Sequence, residues 1–212
     1  MGGATGNLGV ILAGGRSSRM GQNKAEMLFN GEPLLRRAVR RLTPAVDDLL
    51  VIGPTPLESL VPGIRVVADL VSGVGPLGGL YTALRSSTSA RIFLTACDMP
   101  FVQPGLVRAM LVVSEATLDA QAIILRDLND ATRIHPLHAV YTSACLPAVE
   151  QALASDNCSL RGLLSRLVVL MMDDETMRRE DPRGVSAFNV NTQADWQDAL
   201  RLANDDAPDN DS

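Results

Sequence analysis

The sequence predicts an α/β fold, a three-layer sandwich whose sheet is mostly parallel and carries helices on both faces. Three observations support this. Short apolar, β-branched runs recur along the 212-residue chain with helix-like segments between them. Those runs are apolar throughout rather than alternating, the pattern of strands covered on both sides. The chain is 46% hydrophobic but only 3% aromatic, enough apolar content for a substantial aliphatic core.

In chain order, the first strand is expected over residues 8–13, running into paired glycines at Gly14 and Gly15. A helix over 33–42 follows, then strands over 49–53 and 64–68, the second ending at Asp69. The glycine-rich segment Gly73-Val74-Gly75-Pro76-Leu77-Gly78-Gly79-Leu80 opens a helix over 77–85. A strand over 91–96 ends at Cys97-Asp98-Met99-Pro100, where the proline stops it. The remaining elements are helices over 105–113, 143–154 and 159–166, and strands over 120–125, 137–141 and 167–172. A last helix over 194–202 begins after Asn191-Thr192, which offers a cap. Residues 1–203 form one expected domain, and 204–212 an acidic tail without apolar anchors, expected to be disordered.

Composition excludes several classes of function. No apolar run approaches the roughly 20 residues of a membrane span, and the start lacks the basic segment of a signal peptide. Net charge is −5, which argues against a broad nucleic-acid or anionic-membrane surface. Three cysteines, Cys97, Cys145 and Cys158, have no paired metal-ligand spacing. A reduced cytoplasmic setting is expected.

The densest chemical signal lies at residues 12–24, Leu12-Ala13-Gly14-Gly15-Arg16-Ser17-Ser18-Arg19-Met20-Gly21-Gln22-Asn23-Lys24. Glycines let the backbone approach a ligand. Hydroxyls and the cations Arg16, Arg19 and Lys24 then crowd the turn that follows the first strand. Backbone N–H groups, arginine forks and a lysine point charge suit a nucleoside triphosphate. The loop is not of Walker type, because Gln22 and Asn23 separate Gly21 from Lys24. The upstream Gly3-Ala4-Thr5-Gly6-Asn7-Leu8-Gly9 imitates a dinucleotide-binding turn, but such a turn follows a strand, whereas here a strand follows it.

In open α/β sheets ligands bind beyond the carboxyl ends of strands, so Asp69, Asp98 and the glycine loop should share one mouth. Asp98 is placed to hold the Mg²⁺ that a triphosphate brings, since magnesium needs only one or two carboxylates. The plain alternative is a solvated turn aspartate. Asp69 is either a substrate or metal contact or a loop residue capping backbone N–H groups. The 73–80 glycines serve either ligand approach or helix–sheet packing. The chain's two histidines lie in Arg133-Ile134-His135-Pro136-Leu137-His138: His135 reads as a second-substrate contact, His138 as a packed strand residue. Arg36, Arg37, Arg40 and Arg41 read as a solvated helix face, with Glu32 one turn before Arg36. In Phe188-Asn189-Val190-Asn191-Thr192, alternation puts Asn189 and Asn191 on one side, where two carboxamides suit a heterocycle.

The series LAGGRSSRMGQNKAEMLFNGEPLL, VVAD with GPLGGL, CDMPF, HPLHAVY and FNVNT resembles the molybdenum cofactor guanylyltransferases from Leu8 to about Trp196. The resemblance implies a Rossmann-like nucleotidyltransferase fold and transfer of GMP from Mg²⁺-bound GTP to the terminal phosphate of a molybdopterin-type cofactor. It implies GTP contacts at Leu12, Ala13, Gly14, Gly15, Lys24, Asp69, Gly78 and Asp98, Mg²⁺ at Asp98, and catalytic charge from Arg19, Lys24 and Asp98. Pterin contacts would come from His135, Asn189 and Asn191, and the partners would be cofactor-delivery proteins and molybdoenzyme acceptors. The chain departs from the pattern at Gly53-Pro54, where relatives can carry an asparagine that touches the nucleotide, and at Asn23, where an acidic residue is common. Two rival activities stay open: a sister enzyme using CTP or a sugar phosphate, and a non-catalytic GTP- or cofactor-binding carrier.

Overall fold

The computed structural model describes residues 6–14, 23–128, 130, 132–155 and 158–204. Most of the expected phosphate loop, including Gly15, Arg16 and Arg19, lies outside the described residues, as do positions 1–5 and 205–212. The strands are β1 (Asn7–Leu12), β2 (Leu28–Phe29), β3 (Glu32–Pro33), β4 (Asp48–Ile52), β5 (Arg65–Val67), β6 (Arg91–Ala96), β7 (Ala122–Arg126), β8 (Ile134–Thr142) and β9 (Val169–Met171). The helices are α1 (Leu34–Leu42), α2 (Pro76–Ser86), α3 (Pro104–Ala116), α4 (Leu146–Leu153), α5 (Leu160–Leu164), α6 (Asp174–Glu180) and α7 (Gln193–Asn204).

Seven strands form one sheet in the order β5-β4-β1-β6-β8-β7-β9. All neighbours pair in parallel except at β8, which is antiparallel to both β6 and β7. The mostly parallel sheet expected from the apolar runs is therefore present, and β8 is its one reversed strand among the described residues. No helix among them is long and apolar enough to cross a membrane.

Two aliphatic clusters cover the two faces. Leu8, Val10 and Leu12 of β1 join Leu80 and Ala83 of α2, Val149 of α4 and Leu163 of α5. Ile11 joins Leu35 and Leu42 of α1, Val107 and Met110 of α3 and Met177 of α6. This alternation along β1 is what makes the fold three layers. At about 25 cal/mol per Å² of buried apolar area, each fully buried leucine contributes about 2 kcal/mol relative to exposure. A third cluster holds four of the chain's seven aromatics. Phe29, Phe101, Phe188 and Trp196 meet edge to face, with Val185, Val190 and Ala199 beside them. It ties the β2–β3 hairpin and α7 to the segment after β6.

Two elements absent from the sequence reading had local signals. The β2–β3 hairpin turns on Asn30-Gly31, both with positive φ (49° and 78°), the pairing that tight hairpins favour. Helix α6 is capped by Asp173, with Asp174 and Glu175 in its first turn and Arg178 and Arg179 in its last, a charge order that complements the helix dipole. Asn204, assigned to the tail, belongs to α7. The helix expected over 143–154 starts as a 3₁₀ turn, and α4 proper follows with Pro147 in its first turn. The basic face of α1 is only partly solvated. Arg40 pairs with Glu32 at 2.8 Å, whereas Arg37 packs over the Phe29 ring at 4.9 Å and donates to the Pro100 carbonyl.

Candidate active site

One cleft of about 730 Å³ opens at the carboxyl ends of the parallel strands, a size that suits a small-molecule substrate. Its floor is Leu12 at the end of β1 with Ala13 and Gly14 after it, Ile52 at the end of β4, and Ala96 at the end of β6 with Cys97 and Asp98 after it. Ladder-like backbone bonds lock these ends together: Ala13 N donates to the Ile52 carbonyl at 2.8 Å, and Cys97 N to the Leu12 carbonyl at 3.0 Å. Asp69, Val71, Ser72, Gly73, Gly75 and Pro76 form one wall, Leu137, Asn189 and Asn191 the other, and Asn23 with Lys24 the near rim.

Lys24 is the centre of this arrangement. It opens a 3₁₀ turn that Asn23 caps by accepting from Ala25 N, while the Asn23 amide donates to Glu26. Its ammonium donates to Asp98 Oδ2 at 2.8 Å, to the Val190 carbonyl at 2.8 Å and to Asn191 Oδ1 at 3.0 Å. An ammonium has three protons, and all three are used. Lysine and aspartate are both largely buried, with side-chain exposures of 18% and 14%. Asp98 Oδ1 is buried and without a partner among the described residues, and so is Asn189 Oδ1. Such orphaned acceptors call for a cation or a donor supplied by a ligand.

Asp69 stands across the floor from Lys24, and burial lifts its carboxyl above the ordinary aspartate range. A β-carbon added to Gly14 would lie 3.4 Å from Asp69 Oδ2 and 3.7 Å from the Gly53 backbone. Gly14 thus sits against both Asp69 and the backbone that follows β4, at a spacing of ordinary van der Waals contact. Cys97 lines the cleft, but burial pushes its thiol up to about 12, so it is no nucleophile at neutral pH.

Leu12, Ala13, Gly14, Lys24, Asp69, Asp98, Asn189 and Asn191 all meet in this one cleft. Two residues named with them do not. Gly78 is buried in the first turn of α2. A β-carbon there would sit 2.6 Å from Val74 and 2.8 Å from the Val71 carbonyl, so its role is to let residues 71–74 pack on the helix, and Gly79 lines the cleft instead. His135 lines a separate pocket of about 80 Å³ with Arg126, Asp127, Asp181 and Phe188. Burial lowers its pKa.

His138 is wholly buried. Its ring meets Phe93 edge to face at 4.9 Å, and Nε2 lies 3.0 Å from the Ser186 hydroxyl. Burial pushes its pKa down to about 3. Ser186 in turn accepts from Gln103 N, and Asp181 accepts from the backbone of Val185 and Ser186. This polar staple fixes residues 181–186 against β8 and so aims 189–191 at the cleft. The Val190 carbonyl, a backbone group, has no sequence signal at all. Asp195 had one, the Thr192-x-x-Asp195 spacing of a capping box.

The comparisons with known proteins decide the family. Residues 9–170 match the family described as the MobA-like NTP transferase domain. A protein of Pelotomaculum thermopropionicum named as a probable molybdenum cofactor guanylyltransferase is 36% identical over 92% of both chains. The chain belongs to the MobA-like NTP transferase family, among the molybdenum cofactor guanylyltransferases.

Solved structures of this family's fold agree. Molybdopterin-guanine dinucleotide biosynthesis protein A of Archaeoglobus fulgidus superposes with a TM-score of 0.80 at 25% identity, covering 94% of this chain and 99% of that one. A Mycobacterium tuberculosis protein solved with manganese shares the fold at a TM-score of 0.67 and 20% identity, covering 93% and 99%. The chain is thus a nucleotidyltransferase of the MobA-like type.

Proposed function

We propose that this MobA-like enzyme transfers GMP from GTP to the terminal phosphate of molybdopterin, forming the guanine dinucleotide cofactor and releasing pyrophosphate. One observation carries the reading: Lys24 and Asp98 pair 2.8 Å apart on the cleft floor, with Asn189 and Asn191 on the facing wall. A nucleotide half-site and an acceptor half-site thereby share one charged centre.

In the transfer an oxygen of the acceptor phosphate attacks the α-phosphorus of GTP, and the bond from that phosphorus to the bridging oxygen of pyrophosphate breaks. The nucleophile is already an anion, so no strong general base is needed. Repulsion between the two phosphate groups is the obstacle, and fixed charge and alignment overcome it. Lys24 serves both: it exchanges one of its three acceptors for a phosphate oxygen and carries charge towards the leaving pyrophosphate. Arg19 is the second cation proposed for that charge, and Gly15 a further backbone donor to the phosphates. Asn189 and Asn191 supply carboxamides to the acceptor side, and His135, in the neighbouring pocket that Phe188 also lines, is the further residue proposed for the pterin. The name of the Pelotomaculum thermopropionicum relative, a probable molybdenum cofactor guanylyltransferase, supports GTP over CTP.

The donor set fits a divalent ion. Asp98 Oδ1 is a buried carboxylate oxygen without a partner among the described residues, and Mg²⁺ takes one or two carboxylates, with phosphate and water completing its shell. Asp98 would hold it, and when bound it would neutralise phosphate charge during transfer. A reduced, cytoplasmic setting suits three free cysteines, and delivery proteins and molybdoenzyme acceptors are the partners this product requires.

The test is to supply GTP, CTP, ATP and UTP separately with molybdopterin and Mg²⁺, and to measure pyrophosphate and the dinucleotide by mass. GTP should give both products. Preference for CTP would move the chain to the cytidylyl reading, and no pyrophosphate from any nucleotide would make it a carrier.

A further inference from the structure

We propose that Asp195 is a positioning residue for the transfer, holding the turn at Asn191 so that Asn191 and Val190 keep the Lys24 ammonium beside Asp98; this rests on the guanylyl-transfer reading above. Asp195 stands in the first turn of α7 and is not part of the cleft lining. Its Oδ2 alone accepts two backbone N–H groups, from Asn191 at 2.9 Å and from Thr192 at 2.8 Å. Thr192 Oγ1 accepts the Asp195 N–H in return at 3.1 Å, the reciprocal pattern of a capping box.

A plain capping box would stop at Thr192. Here the same carboxylate oxygen reaches one residue further back, to the N–H of Asn191, whose side chain lies in the cleft. From the opposite side, Val190 N donates to the Asp98 carbonyl at 2.9 Å. Residues 190–192 are therefore held at both ends, by the backbone of Asp98 and by the carboxylate of Asp195. Between those anchors lie the two acceptors of Lys24, the Val190 carbonyl and Asn191 Oδ1. Because all three ammonium protons are engaged, a phosphate can recruit Lys24 only by replacing one of these bonds. The remaining acceptors must stay where they are for Lys24 to keep its aim, and Asp195 is what keeps them there.

The geometry also separates this role from simple helix capping. One oxygen takes both bonds, so Asp195→Asn can retain them through its single carbonyl oxygen, whereas Asp195→Ala loses both. Thr192→Val removes the reciprocal bond to Asp195 N and leaves the Asn191 bond intact. The experiment measures kcat, KM for GTP and for molybdopterin, melting temperature, and calorimetric binding of α,β-methylene GTP with Mg²⁺. Asp195→Ala should lower kcat about tenfold and weaken analogue binding about threefold or more, as small misplacements of a charged group do. Asp195→Asn should recover both to within about twofold of wild type, since the bonds rather than the charge set the aim. Thr192→Val should lose melting temperature as Asp195→Ala does, yet keep wild-type kcat and affinity. Where the alanine variant does not fold, Asp195→Glu, which keeps a carboxylate but displaces it by one methylene, should show the same fall in kcat.

If Asp195→Ala matches Thr192→Val, losing stability only, Asp195 is a helix cap and the proposal is overturned. Failure of Asp195→Asn to recover activity overturns it as well. Wild-type protein that binds no GTP analogue would instead bring down the guanylyl-transfer reading and this proposal with it, an outcome visible before any variant is made.

Discussion

The two walls of the cleft are assembled in opposite ways. On the nucleotide side, β4, β1 and β6 run parallel, and each delivers its carboxyl end, and the residues just after it, to the mouth. Proximity there follows from strand direction alone. On the acceptor side the mouth receives the beginning of β8, because that strand is reversed, and a segment about 90 residues beyond Asp98 in sequence. That segment is held by the His138–Ser186 contact, the aromatic cluster and the bond from Val190 N to the Asp98 carbonyl. One wall is a consequence of topology; the other depends on particular tertiary contacts. Lys24 joins them.

The comparison is tested most severely at Asp98, which belongs to the topological wall. Asp98→Asn should lower kcat at saturating Mg²⁺ by about a thousandfold, the scale of losing a main charge-stabilising group. Melting should move by only a few degrees, because the strand end is fixed by backbone bonds. Near-normal turnover would remove Asp98 from the metal role. Lys24→Ala comes next: it should lower kcat/KM for GTP about a hundredfold and weaken GTP binding together with turnover. Since Lys24 bridges the walls, acceptor binding should weaken too, and unchanged values for all three would contradict its assignment.

Gly78→Ala probes the loop wall. The new methyl would meet the Val71 carbonyl at 2.8 Å, so residues 71–74 must shift. KM for GTP should rise about tenfold and stability fall by about 1–3 kcal/mol, as overpacking does. A rise in KM without loss of stability would mean instead that Gly78 touches the nucleotide.

The smallest effect concerns the acceptor wall and pH. The folded-state pKa of His138 is depressed below its unfolded value near 6.5, so neutral His138 contributes stability that is present above pH 6.5 and is lost as pH falls towards 3. Between pH 6.5 and 5 this amounts to about 2 kcal/mol. His135 is shifted in the same direction, and the lowered carboxylates Glu32, Asp173 and Asp195 act only at lower pH. Denaturant titrations at pH 7.5 and 5 should show the loss in wild type and a much smaller one in His138→Gln. Equal losses in both would dissociate His138 from the staple.

What was legible in the sequence follows the same division. Strand order aside, the parallel half could be read because apolar runs, glycines and strand-end carboxylates are local signals, and Lys24, Asp69 and Asp98 meet as expected. Reversal of β8 could not be read, since antiparallel and parallel buried strands have the same composition. That reversal brings the start of β8 to the mouth, where Leu137 lines the cleft while His135, two residues earlier, lines a neighbouring pocket. The Asn-Val-Asn segment was legible in its side chains but not in its backbone: no residue type announces that the Val190 carbonyl will hold a lysine. Gly78 illustrates a third limit, because a glycine that admits a ligand and one that admits a helix look alike in sequence. The Asn30-Gly31 hairpin and the capped helix α6, by contrast, carry purely local signals.

The central claim is that a guanine nucleotide lies across the β1 and β6 ends, with its phosphates at Lys24 and its divalent ion on Asp98. A crystal structure with α,β-methylene GTP and Mn²⁺, with the metal located by anomalous scattering, tests this directly. The account predicts the anomalous peak beside Asp98 and triphosphate oxygens within hydrogen-bond distance of Lys24. A nucleotide bound elsewhere, or a metal away from Asp98, would contradict it.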